Sequence, residues 1–190
     1  MHNTLIQDHT FNKIDFTEIS LERGEYEGCT FNNCNFGELN LSDYIFDDCE
    51  FISCNLSLAK LSGTALRGIR FNSCKMLGLH FDDCNKFGLS FSFNECQLNH
   101  SSFYKTKIRN TSFKSCQLFE VEFADCDISN SIFDNCDLLG AVFQNTNIER
   151  VDFASSYNYS IDPESNRIKK AIFSLQGVTG LLDKYDIVVK

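Results

Sequence analysis

Cysteine and histidine are the residue types in this sequence that could bind a metal or act as nucleophiles. The chain has ten cysteines, and its four histidines are His2, His9, His80 and His100. The pairs Cys29/Cys34 and Cys49/Cys54 have a Cys-x4-Cys spacing that superficially suggests zinc. No two histidines have a metal-ligand spacing, and none is visibly paired with a nucleophile. The sequence also has no Gly-rich phosphate loop and no serine-elbow motif.

The positions of the cysteines have a structural explanation instead. All ten lie on the inward position two residues before the centre of a five-residue unit. The centre is apolar in 29 of 29 units, from Ile6 to Phe81 and again from Phe93 to Phe153, and only Cys84 precedes a centre in the gap, at Lys86. A fixed period indicates a repeat architecture, in which thiols serve as small core residues. Neighbouring thiols then lie on adjacent sides of a coil and do not converge on a metal. We therefore predict no metal site, no cofactor and no catalytic residue, and hence a protein that is not an enzyme.

A period of five fits neither an α-helix nor a long strand. Steps of five rotate about 140° around a helix, and a strand has period two. The period does fit a short extended segment followed by a tight turn, in which residues two apart share the inward side. Six cysteines recur at spacings of 20, 20, 22, 20 and 20, which predicts four sides per coil and a ladder made of Cys34, Cys54, Cys74, Cys96, Cys116 and Cys136.

One disturbance interrupts the repeat. Phe71 and Phe93 are 22 residues apart where the period requires 20, so we predict a two-residue insertion within residues 85–92. Lys86 falls on an inward position there, and an unpaired buried ammonium group is costly. We expect Lys86 to turn outward, with Phe87 or Phe91 filling the space.

These residues carry a resemblance to a known family. The run Cys-Asp-Leu-Leu-Gly-Ala-Val-Phe at 136–143 resembles the pentapeptide repeat family. The resemblance implies an all-β solenoid, a right-handed quadrilateral β-helix with four pentapeptides per coil. We expect 7–8 coils, a rod on the order of 36 Å long, and a short C-terminal cap of helix and strand.

The period ends after Phe153, so we divide the chain into a β-helix over residues 1–154 and a C-terminal cap over 155–190. Apolar residues in the cap follow a roughly helical spacing, and residues 186–189 have the composition of a short strand. The segment either caps the rod alone or also forms a homodimer, as it does in several members of the resembled family. The candidate dimer-interface residues are Leu175, Val178, Leu181, Leu182, Tyr185, Ile187 and Val189.

The net charge of −9 is distributed in bands. Residues 1–50 and 116–165 each carry −9, whereas residues 51–115 carry +6 and the last 25 residues carry +3. Because most of the rod is acidic, we expect no direct binding to nucleic acid. No apolar run is long enough for a membrane span, and the first residues do not resemble a secretory signal. With thiols in the core, we expect a cytoplasmic protein.

Two functions of different class remain. The first is a non-catalytic protein-interaction scaffold whose partner is unknown. The alternative follows from similarity to the Qnr and MfpA type of pentapeptide repeat protein, which are acidic dimeric rods that engage DNA gyrase and topoisomerase IV and protect them from quinolones. A DNA mimic of this kind would use acidic surface groups, for which the candidates are Asp43, Asp47, Asp48, Glu50, Asp125, Asp127 and Asp134.

Overall fold

Each side of the coil ends in a tight turn at the residue two positions after the inward apolar residue. In this computed structural model, which describes residues 4–189, that residue has a left-handed backbone on most sides, as at Asn33 (φ 54°), Gly63 (φ 68°) and Asn110 (φ 57°). Asparagine, aspartate and glycine tolerate this conformation better than other residues. The polar third of the repeat therefore forms the corners of the coil.

The extended segments between the corners are short and entirely parallel. The strands are β1 (Thr4–Gln7), β2 (Thr10–Asn12), β3 (Gly24–Glu27), β4 (Thr30–Asn32), β5 (Ile45–Asp47), β6 (Glu50–Ile52), β7 (Ala65–Arg67), β8 (Ile69–Asn72), β9 (Phe91–Asn94), β10 (Ser112–Lys114) and β11 (Ile132–Asp134). One sheet has the order β1-β3-β5-β7, and the other has the order β2-β4-β6-β8-β9-β10-β11. Isolated parallel bridges continue the same stacking on the remaining sides. The fold is an all-β solenoid with four sides per coil.

Three sides of the coil differ in the features they contain. The bulge face contains β1, β3, β5 and β7, and it continues through the bridge between Lys107 and Asp127. The phenylalanine face contains β2, β4, β6 and β8 to β11. The thiol face follows it along the chain and contains the six-cysteine ladder, with bridges between Asn35, Asn55 and Lys75.

Stacked aromatic rings fill the interior behind the phenylalanine face. The Phe113 ring stacks on Phe93 and Phe133, with centroid distances of 5.1 and 4.6 Å. The small inward residues bind the coil below through their donors. The Cys54 thiol donates to the Phe31 carbonyl at 3.2 Å, and the Thr64 hydroxyl donates to a main-chain carbonyl at 2.7 Å. Cysteine, serine and threonine therefore combine a small volume with a donor for an inward-facing carbonyl.

The disturbance in the repeat is a bulge on one face. Successive coils pair at a spacing of 20 residues up to β8, and Phe71 then pairs with Phe93, 22 residues later. A 3-10 turn at Phe81–Asp83 precedes the bulge. Lys86 is exposed, as predicted. Phe91 is buried and fills the core, whereas Phe87 is 78% exposed.

The solenoid ends with an irregular coil and a cap. Ile172 still bridges to Asp152, and the Phe173 ring stacks on Phe153, so coil geometry extends beyond the division drawn at residue 154. The cap consists of two 3-10 turns, Gly177–Leu181 and Asp183–Tyr185. None of the helical turns within residues 4–189 has the length and apolarity needed to cross a bilayer.

The short helix expected in the cap is present as two 3-10 turns, whereas the expected final strand is not formed. Residues 187–189 pair with no strand in the described part of the chain. Gly180 explains why the cap lies flat on the last coil, because a Cβ atom there would be 2.1 Å from the Tyr159 carbonyl oxygen. Asp186 has a left-handed backbone that ends the second turn. The contact with Tyr159, and not the helical propensity of the segment, thus determines the conformation of the cap.

Candidate interaction surfaces

The ten thiols are enclosed in the core. Every cysteine is a buried free thiol, and none is more than 4% exposed. Burial raises the pKa values of Cys49, Cys84 and Cys126 to about 12. A thiol with such a pKa is almost fully protonated at neutral pH, and the thiolate is the nucleophilic form. These three thiols are therefore poor nucleophiles, and burial keeps all ten thiols out of reach of a substrate in solution.

The histidines lie apart on the outer surface. The His80 Nδ1 atom is 3.4 Å from Asp82 Oδ1, and the His100 Nδ1 atom is 3.2 Å from Glu120 Oε2. The His9 ring contacts the edge of Phe11. His2 lies outside the described residues. Within residues 4–189, no three His, Cys, Asp or Glu side chains converge as metal ligands.

Four of the seven candidate acidic residues are paired with arginine from a neighbouring coil. Two of the pairs are Arg23 with Asp43 at 2.7 Å and Arg67 with Asp47 at 3.6 Å. In the other two, Arg70 lies 3.9 Å from Glu50, and Arg109 lies 2.6 Å from Asp127. Since each guanidinium compensates a carboxylate, these positions alternate in charge along the rod.

Asp127 is held more firmly than the other acidic candidates. Its carboxylate accepts hydrogen bonds from Arg109, Ser129 and Asn147. Burial alone would raise the pKa of Asp127, but these hydrogen bonds outweigh burial and lower it to about 2. The same carboxylate closes a turn with the main-chain N–H of Ser129. Asp127 therefore orders its own coil and contributes little free negative charge.

The other three acidic candidates are in different settings. The Asp48 carboxylate lies over Gly68, where a Cβ atom would be 2.2 Å from its Oδ1 atom. Asp134 accepts a hydrogen bond from the Ser155 hydroxyl at 2.9 Å. Asp125 lies at a corner with a left-handed backbone. The seven carboxylates do not form one uninterrupted acidic stripe.

The C-terminal cap is fixed to the last coil by polar contacts. The Lys184 ammonium group lies 2.7 Å from Asp162 and 2.5 Å from Glu164, and the Tyr185 hydroxyl donates to Glu164 at 2.9 Å. The two carboxylates raise the pKa of Lys184. These contacts hold the cap, which contains the candidate dimer residues, in a fixed position on the last coil.

The candidate dimer residues differ in exposure. Leu175 is 91% exposed and Val178 is 39% exposed. Leu181 and Leu182 are half-buried. The remaining three candidates, Tyr185, Ile187 and Val189, are at least half exposed. Their neighbour Val188 is exposed as well. Beside them, a concavity of about 580 Å³ lies between the last coil and the cap. This end of the rod presents more exposed apolar surface than capping requires.

Sequence reasoning missed two surface features. Phe87 projects from the bulge face with the Arg67 guanidinium 5.6 Å from its ring centre. The other feature is an apolar concavity of about 410 Å³ at the N-terminal end, lined by Phe11, Phe16 and Tyr26. Its sequence signal is that Ile14 and Ile19 are large apolar residues on inward positions that mostly smaller residues fill in later coils.

Comparisons with known proteins agree with this architecture. The family described as "Pentapeptide repeat region" matches residues 25–103 and 89–160. No curated protein matches the sequence. Trypsin-treated QnrB1, a plasmid-mediated fluoroquinolone resistance protein, is similar in structure with 17% identity and a TM-score of 0.72, over 98% of this chain and 92% of that chain. Full-length QnrB1 is 15% identical with a TM-score of 0.55, over 97% of this chain and 100% of that chain. At these identities the likeness is one of fold.

Proposed function

This chain belongs to the pentapeptide repeat family, and on that premise we propose that it is a non-catalytic scaffold that binds other proteins through its outer surface. The observation that carries the proposal is the contrast between the interior and the ends of the rod. The thiols are buried, whereas Leu175 is 91% exposed. Leu175 is one of several exposed apolar side chains of the cap, and a group of such side chains, unlike a single one, is typical of an interaction site.

A second part of the proposal is that the chain forms a homodimer through its cap. The interface would consist of Leu175, Val178, Leu181, Leu182, Tyr185, Ile187 and Val189, extended by Val188. A two-fold interface uses the same patch on both subunits, so the apolar groups of one cap would cover those of the other. Residues 155–190 then have both roles, capping and dimerisation.

Light scattering of the purified chain tests the dimer. The intact chain is expected at twice its mass of 21.7 kDa. Leu175→Ser combined with Val178→Ser should give a folded monomer with an unchanged circular dichroism spectrum, because both side chains are exposed in the single chain. Leu58→Ser, at a side chain that is 57% exposed on the thiol face, is the matched control and should remain a dimer. A monomer for the intact chain at micromolar concentration would leave only the capping role.

The compartment we propose is the cytoplasm. A core that contains ten free thiols is suited to a reducing environment, where disulfide exchange during folding is suppressed. The partner of the scaffold would then be a cytoplasmic protein. The partner can be sought by affinity capture, and its binding can then be tested with the two purified proteins. Substitutions of exposed residues that leave the thermal stability unchanged should abolish that binding.

The alternative function is a DNA mimic that binds DNA gyrase or topoisomerase IV and confers quinolone resistance. The acidic bands and the similarity in fold to QnrB1 favour it, whereas the arginine pairs reduce the negative charge of the candidate surface. The test is gyrase supercoiling in the presence of ciprofloxacin, with and without the purified chain. Protection of supercoiling supports the mimic, and no effect at micromolar concentration leaves the scaffold.

Arginine substitutions sharpen that test. Changing Arg67, Arg70 and Arg109 together to glutamine would release the charges of Asp47, Glu50 and Asp127, because each arginine is paired with one of them. A DNA mimic should then bind gyrase more tightly, and the gain should fade as salt screens the charges. Equal activity of the wild type and the triple variant would contradict the mimic.

A further inference from the structure

The N-terminal end of the rod is an open end of both sheets. β1 pairs only with β3, and β2 pairs only with β4. Each strand therefore has one edge whose main-chain N–H and C=O groups face no strand within residues 4–189. Such an edge is a template for pairing with another extended chain.

Directly inside this edge lies an apolar floor. The concavity of about 410 Å³ is formed by the inward residues of the first coil, among them Ile6, Phe11 and Phe16. Phe11 stacks on Phe31 at 4.8 Å, yet it is only half-buried, whereas Phe31 is fully buried one coil further on. Ile19, which lines the concavity, is 62% exposed, and Leu5, which alternates with Ile6 and so lies on the outward face of β1, is 52% exposed. An added strand could therefore place alternate apolar side chains on this floor.

The rim of the opening is acidic. Residues 4–28 contain two basic side chains, Lys13 and Arg23, and Arg23 is paired with Asp43 in the next coil. The same segment has six carboxylates, which are Asp8, Asp15, Glu18, Glu22, Glu25 and Glu27. None of the six takes part in an ion pair within the described residues.

Two rim carboxylates are held in place by neutral hydrogen-bond donors. Glu22 accepts a hydrogen bond from the Thr4 hydroxyl at 2.6 Å, and Glu27 accepts one from the Gln7 amide at 2.7 Å. Neither carboxylate is compensated by a cation within residues 4–189. Two such ends would repel each other, so the charge disfavours self-pairing of this edge and favours a cationic partner.

From this combination we propose that the N-terminal end is a docking site for an extended segment of another protein, in which β-branched residues alternate with lysine or arginine. The segment adds as a strand beneath β1, with its apolar side chains on the aromatic floor and its basic side chains towards the acidic rim. The proposal deepens the scaffold function, on which it rests, by naming a surface and the chemistry of the partner. It does not depend on the dimer, which would form at the opposite end.

Fluorescence anisotropy with a defined peptide tests the proposal. The probe is a fluorescein-labelled Lys-Val-Thr-Val-Lys-Val-Thr-Val-Lys, and the control peptide has glutamate at every lysine. We expect half-saturation at about 10–100 µM for the lysine peptide, as befits a short ligand that must be ordered on binding. The affinity should fall several-fold between 50 and 500 mM salt, by the estimate of screening over about 10 Å. The glutamate peptide should not bind.

Two sets of variants locate the binding. Leu5→Ser with Ile19→Ser removes one exposed apolar group from the outward face of β1 and one from the concavity, and should weaken binding about tenfold, while the melting temperature stays unchanged. Ile132→Ser with Val142→Ser removes apolar groups of similar exposure, 51% and 41%, elsewhere on the rod and should leave binding unchanged. Glu22→Gln with Glu27→Gln should reduce the salt dependence, because it removes two of the six carboxylates at this end.

Three results would overturn the proposal. They are no binding of the lysine peptide at 1 mM, equal binding by the wild type and the Leu5/Ile19 variant, and assembly of the chain with itself that the same variant abolishes. The last result would identify a second copy as the occupant of the edge. Failure of the scaffold function would show separately, as loss of partner capture by a chain that still binds the peptide.

Discussion

Replacing Phe113 with alanine should be among the most destabilising single changes in this chain. Phe113 is fully buried and stacks on Phe93 and Phe133, and its ring also meets Phe103 and Phe123 edge-on at 6.1 Å. Phe-to-Ala changes in packed cores cost about 3–5 kcal/mol. The two stacked contacts place this position at the upper end of that range, since stacked pairs contribute about 0.5–1.5 kcal/mol beyond area burial.

Urea denaturation followed by circular dichroism measures the effect. With a denaturant slope of about 3 kcal/mol per molar, the unfolding midpoint of Phe113→Ala should fall by about 1–2 M. Phe87→Ala is the matched control, because it removes the same side chain from a position that is 78% exposed. Its cost should stay within about 1 kcal/mol, mainly the contact with Arg67.

The comparison between the two variants decides the argument. Equal midpoints for Phe113→Ala and Phe87→Ala would refute the claim that the phenylalanine column fills the interior. The same result would show that the period of five does not separate core from surface.

Three further predictions concern a hydrogen bond, the cap and a carboxylate. Thr64→Val retains the shape of a fully buried side chain but removes the 2.7 Å hydrogen bond to the Leu41 carbonyl, which keeps the Tyr44 N–H as a donor at 3.1 Å. Urea unfolding should therefore show a loss of about 1 kcal/mol, and no loss would contradict the role of the inward donors. Gly180→Ala should displace the cap, because its Cβ would be 2.1 Å from the Tyr159 carbonyl oxygen, and limited proteolysis should then cut after residue 173 at a rate that the wild type does not show. The pKa of Asp127 is lowered to about 2, so its contribution to stability is complete above its ordinary pKa and is lost as the pH falls towards 2. Asp127→Asn should accordingly flatten the acid limb of a pH titration of stability between about pH 4 and 2, and an unchanged limb would show that Arg109 does not hold this carboxylate.

The regular part of the fold is predictable because it depends on one pattern. Spacing alone predicts that every fifth residue points inward. It also predicts the six-cysteine ladder and the 22-residue step from Phe71 to Phe93. Exposure of Lys86 follows as well, since a buried unpaired charge is costly. Stacking each coil on the last turns a one-dimensional period directly into three-dimensional contacts.

The surfaces are less predictable because they depend on contacts between columns. Arg109 and Asp127 are 18 residues apart, so their ion pair crosses from one outward column to another and no single column shows it. The cap has no period, and the contact of Gly180 with Tyr159 decides its shape. The choice between Phe87 and Phe91 as the buried ring depended on the path of the bulge, which spacing does not determine.

The central claim is that the reactive side chains of this chain are used inside the rod, so that its function lies on the outer surface. Thiol labelling of the native protein at neutral pH tests this most directly, followed by labelling after unfolding. All ten cysteines are buried, so the folded chain should react with almost no reagent, and the unfolded chain should react at ten thiols. Rapid labelling of even one or two cysteines in the folded chain would contradict the claim, because it would reveal an accessible nucleophile where the structure has a packed core.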